Sequence, residues 1–474
     1  MKKIITLSAI AFLSTSLSAN VDMQTQIDTL TKKLTKMEKT QKKLKKKISA
    51  VNKLANKDNI KFDVDFRTSY DMINYKTVSG KEYKNDGLYA NRLWLNMGYA
   101  PKSDLMFKGT LAFNKAFGAS PYNSNGSGMP QRGFGYDTFD WVVSENLTDE
   151  KLRVREAYWL WMPKFNGRGY TFSVGRRPAT NGFLINHRDD DKAKSPIGHI
   201  INMEFDGISV SAKTGDIVEG SYLKLCLGRG LTNAKARFDQ KGLDYSSDDN
   251  NLDNMDLIGA IAKLYDDGQY TAFAKYYRAF NVIGNDVTGQ NGGTQAKPVL
   301  TSYGDMDGAA LSVQTNGVGD EINDFLDETI LFASLAVSKT LPNTNQAMMG
   351  STDSLKGYSY FVGAQMPNMT GGKFGVEFNH GSANWRPFTY AEDTMAGSKM
   401  AVRGNAMEVY WTQPIIDNTF TMQIRYTSMS YDYTGSNGFF GDGGKAYEID
   451  SVQAKAMDAV ENASDLRVYF RYRY

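Results

Sequence analysis

The chain is short of the residues that build disulfides, metal centres and helical membrane spans. One cysteine, Cys226, stands among 474 residues, so no internal disulfide can form. It sits in a strand-like run, Tyr222-Leu-Lys-Leu-Cys-Leu227, where a structural role is expected. Only His187, His199 and His380 supply imidazole, and none has metal-ligand spacing. Asp244, Asp248, Asp249 and Asp253 lie close together but lack the Gly and Glu placement of an EF-hand. Gly228-Arg-Gly230 and Gly133-Phe-Gly135 lack the context of a phosphate loop. No metal, no cofactor and no common catalytic constellation is therefore expected. Beyond the first twenty residues no stretch of eighteen apolar residues occurs, which excludes helical membrane spans.

What the chain has instead is aromatic residues, glycine and period-two alternation. It holds 27 Tyr, 25 Phe and 6 Trp with 44 Gly against 11 Pro, a composition that suits interfacial aromatic girdles and many turns. The last ten residues carry the clearest pattern. Leu466, Val468, Phe470, Tyr472 and Tyr474 share one parity, and Asp465, Arg467, Tyr469, Arg471 and Arg473 the other. Successive strand residues point to opposite faces, so one face is apolar and the other mostly cationic. An edge strand of a soluble sandwich alternates too. A membrane barrel strand, with one face to lipid and one to a wet lumen, fits better once the rest of the chain is considered.

The two ends of the chain differ in charge. Lys2 and Lys3, the apolar run Ile4 to Leu13 and small residues through Ser18-Ala19 form a secretory signal over residues 1–19. Residues 21–58 hold eleven lysines against Asp22, Asp28, Glu38 and Asp58, although the whole chain is only +3. A basic segment thus precedes an acidic body. Within 20–58 a heptad runs through Ile27, Leu30, Leu34, Met37, Gln41, Leu44, Ile48 and Val51, with Met23 opening it. Spacing that alternates between three and four over four heptads predicts an α-helical coiled coil. The polar Gln41 among Ile and Leu does not choose between two and three strands. Lys32, Lys39, Lys46 and Lys53 fall at f. Their ordinary role is a solvated face; the alternative is contact with an anionic periplasmic polymer such as peptidoglycan.

The body, 59–474, reads as an all-β, antiparallel transmembrane barrel of sixteen strands. The first three strands centre on 60–70, 92–99 and 105–113. The others fall at 151–162, 169–177, 207–214, 221–228, 256–265, 269–280, 308–315, 329–339, 357–366, 373–381, 405–413, 419–431 and 464–474. Most match the nine to eleven residues a tilted membrane strand needs. Short connections such as Pro163 to Gly169 and Pro367 to Gly372 alternate with long ones at 115–150, 178–206, 229–255, 281–307, 340–356, 382–404 and 432–463. That rhythm is one of short periplasmic turns and long external loops. The stretch 316–340 is the weakest, and fourteen or eighteen strands stay open. If the apolar parity faces lipid, the polar parity lines the lumen. Arg67, Arg92, Lys108, Arg153, Arg155, Arg425, Arg467, Arg471 and Arg473 then form one basic wall when the last strand meets the first. Pairing with Asp63 and Asp65 would reduce its net charge. Glu156 breaks the pattern, because its parity points to lipid; a bulge or a subunit contact would account for it.

The signal, the coil before the barrel, Leu152-Arg-Val-Arg-Glu-Ala-Tyr158, Phe172-Ser-Val-Gly-Arg-Arg-Pro178 and the aromatic strand ending at Tyr474 together resemble Gram-negative outer-membrane porins. The likeness is greatest to porin-like proteins of uncharacterised substrate. The resemblance implies passive diffusion of small hydrophilic solutes, an outer-membrane location, a homotrimer and no enzymatic activity. It also implies that Phe470, Tyr472 and Tyr474 serve as an assembly signal, although Tyr474 stands where Phe is more usual. In general porins the third external loop folds inward, so Asp189, Asp190 and Asp191 would face Arg92, Arg153 and Arg155 across a constriction. The alternatives are a tether to the cell wall, an adhesin, or a hydrolase. The last rests on His380-Gly-Ser382, which resembles the His-x-Ser pair of outer-membrane phospholipases. Export argues against nucleic acid as a partner.

Overall fold

The computed structural model describes residues 60–118, 152–177, 181–202, 205–232, 252–286, 289–294, 297, 299–318, 322–389, 394–436 and 440–474. The signal, the coiled-coil seam and Asp244, Asp248 and Asp249 lie outside the described residues.

Seventeen strands follow one another along the chain. They are β1 (Lys61–Thr77), β2 (Glu82–Lys102), β3 (Leu105–Ala116), β4 (Arg153–Trp161), β5 (Lys164–Phe165), β6 (Arg168–Arg177), β7 (Phe205–Lys213), β8 (Tyr222–Leu231) and β9 (Met255–Asp266), then β10 (Tyr270–Asp286), β11 (Val299–Asn316), β12 (Ile330–Pro342), β13 (Lys356–Pro367), β14 (Lys373–Gly381), β15 (Gly404–Ile416), β16 (Phe420–Tyr431) and β17 (Val460–Arg473). β5 is a two-residue ladder on β6 inside a turn, and β4 pairs directly with β6. The other sixteen run antiparallel, each to its neighbour, and β17 returns to β1 with Arg67 opposite Arg471. The result is a closed sixteen-stranded barrel, which leaves no sheet edge unpaired.

Alternation sets the two faces. On β8, Leu223, Leu225 and Leu227 are exposed while Lys224 and Cys226 between them are half-buried. On β17, Phe470 and Tyr472 face out, whereas Asp465, Arg467, Tyr469 and Arg471 are buried. An apolar exterior around a charged interior is the inverse of a soluble barrel and the arrangement a lipid surround requires.

The interior has two unlike halves. Along β9 to β14 an apolar core includes Phe273, Tyr277, Phe332 and Phe361. Flat rings there lie over glycines on the adjoining strand. A Cβ at Gly308 would sit 2.3 Å from the Tyr277 ring, and one at Gly375 would sit 2.0 Å from the Tyr410 ring, so a side chain at either would displace the aromatic. Along β1 to β4 and β15 to β17 the interior is charged.

The loop expected at 281–307 is largely strand, as is the connection between the first two strands. β1 and β2 run on to a tight turn at 78–81, and β10 and β11 extend to Asp286 and from Val299. The ladder of the second pair shifts register around Val282, beside Asn281 at φ 55° and Gly304 at φ 149°. These irregularities break the period-two signal without ending the pairing. In the ambiguous stretch, Asp324–Asp327 is a single helical turn capped by Asn323, whose side chain accepts from the Leu326 amide. Among the described residues there, no further strand is inserted.

Candidate functional site: the barrel lumen

Residues 181–202, between β6 and β7, fold into the lumen rather than over its rim. Phe183, Leu184, Ile185, Ile197, Ile200 and Ile201 are buried against the apolar half. Each such side chain is worth roughly 1.5–3 kcal/mol on burial, enough to draw a polar connection inside. The polar groups of the segment are matched. His199 lies between Ser334 (2.8 Å) and Ser359 (2.9 Å), and burial pushes its imidazole down to about 3. His187 meets Gln314 at 2.7 Å, and burial likewise holds its pKa below the usual range.

Beyond His187 a 3-10 turn, His187–Asp189, and a left-handed Asp190 carry three carboxylates to the charged wall. Asp189 faces Arg425 at 3.4 Å. Asp191 meets Arg471 at 2.9 Å and Arg473 at 3.0 Å. Asp190 pairs with Lys373. The tip therefore reaches β14, β16 and β17. The resemblance had suggested Arg92, Arg153 and Arg155 as its partners. Of these, Arg92 lies 3.6 Å from Asp65 and Arg155 lies over Trp94 at 4.3 Å. The segment is anchored on the apolar half, and its tip extends to the far end of the closing strands.

The wall itself is contiguous. Arg67 stands opposite both Arg471 and Arg92, and Arg467 opposite Arg425. Like charges directly opposite repel, so acids are interleaved. Arg471 donates to Asp65 at 2.9 Å, and Arg467 pairs with Asp71. Trp94 carries Arg92 at 3.6 Å and the ammonium of Lys194 at 4.5 Å over its ring, alongside Arg155. Cation–π contact of this kind holds charge where water is scarce. Glu156 points inward after all. β4 opposes Thr110 with Glu156 but Leu111 with Val154, leaving Arg155 as the extra residue of a bulge. Both Arg155 and Glu156 are buried as a result, and Glu156 lies 3.8 Å from Lys194. Burial lowers the Lys194 pKa, and Glu156 opposes that shift.

Lys108 is exposed and Arg153 half-buried. Lys108 helps line a vestibule of about 870 Å³, shared with Lys61, Asp63, Glu156, Tyr158, Lys192 and Arg473. Asp190 and Asp191 border this space, and Asp190 also borders a second opening of about 450 Å³ with Asp327, Glu328 and Lys373. The segment tip thus parts the mouth at the short-turn end into a side of mixed charge and a side with more acids than cations.

A second inward segment, 382–389 with 394–403, contributes groups that no sequence motif marks. Lys399 lies between Glu377 and Glu408, 2.7 Å from the latter, and Arg188 approaches Glu408 at 3.2 Å. Strand parity alone would have placed Glu377 and Glu408 inside, opposite the outward Phe374, Val376 and Phe378. The same segment packs Met395, Ala396 and Val402 against Ile73, Ala90 and Met429 above the charged wall, and the Met395 amide donates to Asp465 at 3.0 Å.

The His-x-Ser pair is not joined. His380 meets Asn405 at 3.0 Å and stacks on Tyr360, while the Ser382 hydroxyl accepts from the Tyr358 amide at 2.9 Å. Among the described residues no hydrogen bond links the two side chains.

A family model described as "Protein of unknown function (DUF3373)" matches residues 82–474. The chain belongs to the DUF3373 family. The match begins where β2 begins and runs to the last residue. Among curated proteins nothing matches this DUF3373 chain. Three similar solved structures are OprB of Pseudomonas putida, OmpF of Salmonella typhi with daunomycin, and the trimer form of OmpT of Vibrio cholerae. OprB is 12% identical with a TM-score of 0.46, covering 88% of this chain and 94% of that one. OmpF is 10% identical with a TM-score of 0.44, covering 87% and 97%. OmpT is 12% identical with a TM-score of 0.40, covering 88% and 100%. The strand number and closure of the DUF3373 barrel rest on its own hydrogen-bonded register.

Proposed function

We propose that the chain is a bacterial outer-membrane porin that passes small hydrophilic solutes or ions by diffusion. The observation that carries this reading is the pairing of an apolar exterior with a closed, charge-lined interior that opens into a vestibule of about 870 Å³. A lipid surround accounts for the outer face, and rings of fixed charge inside account for a preference among ions. In this reading Arg67, Arg92, Lys108, Arg153, Arg155, Arg425 and Arg467 form the pore wall, and Asp189, Asp190 and Asp191 narrow the passage. The transverse field between them favours polar solutes over apolar ones. In this reading the basic segment 20–58 is a periplasmic coiled coil that supports a homotrimer, with its lysines on a solvated face. Phe470, Tyr472 and Tyr474 act as the assembly signal.

The apolar core fills one half of the lumen, and the Met395–Ala396 cluster covers the other at the long-loop end. That filling favours a second reading, a wall tether or adhesin built on a sealed barrel. Liposome swelling separates the two. Folded protein in vesicles should admit a small sugar or amino acid faster than a trisaccharide. Vesicles that stay osmotically tight to all three would support the sealed barrel instead.

A further inference from the structure

A separate group of cations lies away from the wall, on β6, β8 and β10. Lys224 and Lys275 stand opposite Ile261 from either side of β9, and all three residues line a small cavity of about 90 Å³ inside the barrel. Arg177 lines it too, as do Ser195, Ser209 and Cys226, and among the described residues no Asp or Glu borders it. The three cations thus border one small cavity from β6, β8 and β10. Nε and one terminal nitrogen of Arg177 are buried and have no hydrogen-bond acceptor. Its guanidinium rests over the Tyr158 ring at 4.1 Å. Among the described residues, Arg177, Lys224 and Lys275 make no ion pair. This contrasts with the wall, where Arg467, Arg471 and Arg425 each meet a carboxylate.

Three clustered cations in a confined space, with buried donors unsatisfied, are costly unless a counter-charge joins them. We propose that this cavity binds a small oxyanion of the phosphate or sulfate kind. Arg177 offers its free N–H groups, Lys224 and Lys275 their ammonium protons, and Ser209 a hydroxyl. Guanidinium and ammonium donors to an oxyanion form the stronger, charge-assisted class of hydrogen bond. The volume admits an anion of a few heavy atoms. Tyr158 lines the vestibule and carries Arg177 over its ring, which sets the cavity beside that space. The inference deepens the diffusion reading by naming the solute class held at one station within the lumen.

The test is equilibrium dialysis of the full chain, folded in detergent, against inorganic phosphate and against sulfate, with thermal unfolding in parallel. Wild type should take up one oxyanion per chain saturably and unfold at higher temperature as phosphate is added. The double variant Lys224→Gln with Lys275→Gln should bind about tenfold or more weakly, and its unfolding temperature should be indifferent to phosphate. Lys224→Arg with Lys275→Arg should retain binding, and Lys164→Gln, on the exposed β5 turn, should leave it unchanged. Heat-modifiable gel migration confirms a folded barrel in each case. If the double glutamine variant does not fold, Lys275→Gln alone should still weaken uptake. Absence of saturable uptake by folded wild type would overturn the proposal, as would undiminished uptake by the glutamine variants. Binding is read without conduction, so this outcome is independent of whether the barrel passes solutes.

Discussion

Asp191 lies 2.9 Å from Arg471, which ties the inward segment to the strand that closes the barrel. Arg471 is also held by Asp65 of the first strand, so one guanidinium joins the lumen segment, β1 and β17. Asp189 and Asp191 of the tip thereby join Asp65 and Asp71 in offsetting the facing arginines of the wall. The wall is structural and electrostatic at once. Its net charge depends on where the tip sits.

Neutralising the tip should change both selectivity and stability. Asp189→Asn with Asp191→Asn removes carboxylates from Arg425, Arg471 and Arg473. Breaking a buried ion pair by removing one partner costs on the order of 3–5 kcal/mol, and the retained Asp65 partner places this case at the lower end. Urea unfolding should show a lower midpoint, and the reversal potential in a salt gradient should move toward anions. An unchanged reversal potential in a conducting variant would mean that the tip does not border the ion path.

Closure at the C-terminus gives a second expectation. The Val64 amide donates to the Tyr474 carbonyl at 2.9 Å, and the Tyr474 amide donates to Val64 at 3.0 Å. The Tyr474 side chain itself is 82% exposed, so it contributes little internal packing. Deleting Tyr474 should lower the yield of inserted, heat-modifiable barrel severalfold, whereas Tyr474→Phe should restore it. Equal insertion of the truncated chain would leave those two hydrogen bonds and the aromatic ring without a role in assembly.

Acid should weaken the fold through His199. Its native ring stays neutral down to about 3, because burial opposes the charged form, while an unfolded ring protonates near 6.5. Between those values the unfolded state binds the extra proton, so stability falls as pH drops from 6.5 towards 3 and is fully present above 6.5. Unfolding midpoints measured across that range should decline in wild type and flatten in His199→Gln. Parallel declines in both would assign the acid sensitivity to other groups.

The sequence revealed the strands better than what the lumen contains. Period-two alternation located the strands where each lies within the apolar belt, as on β8 and β17. It failed where strands run past that belt. The turn region Ser79 to Asp86 is polar on both parities because both faces meet water, and the Val282 register shift interrupts β10. Glu156 looked misplaced because a bulge reverses parity mid-strand. The three acids at 189–191 were visible as a motif, but their partners were not. Partner choice depends on where the apolar Phe183–Ile185 and Ile197–Ile201 anchors seat the segment, and that is a property of the closed barrel. Likewise Lys224 and Lys275 become neighbours only because β9 lies between them.

The cover over the charged wall should behave as a barrier. Asp465 holds the Met395 amide, and Tyr75 donates to the Met395 carbonyl at 3.4 Å. Asp465→Ala with Tyr75→Phe should loosen that cover and raise conductance severalfold in otherwise folded protein. A conductance identical to wild type would place the limiting constriction elsewhere, at the segment tip.

The most direct measurement is the current through purified, folded full-length protein in a planar lipid bilayer. The account predicts discrete conductance steps, an ion preference that shifts when Asp189 and Asp191 are neutralised, and larger steps when the Met395 cover is released. Heat-modifiable barrels that insert into the bilayer yet carry no current, with the cover intact and with it released, would contradict it.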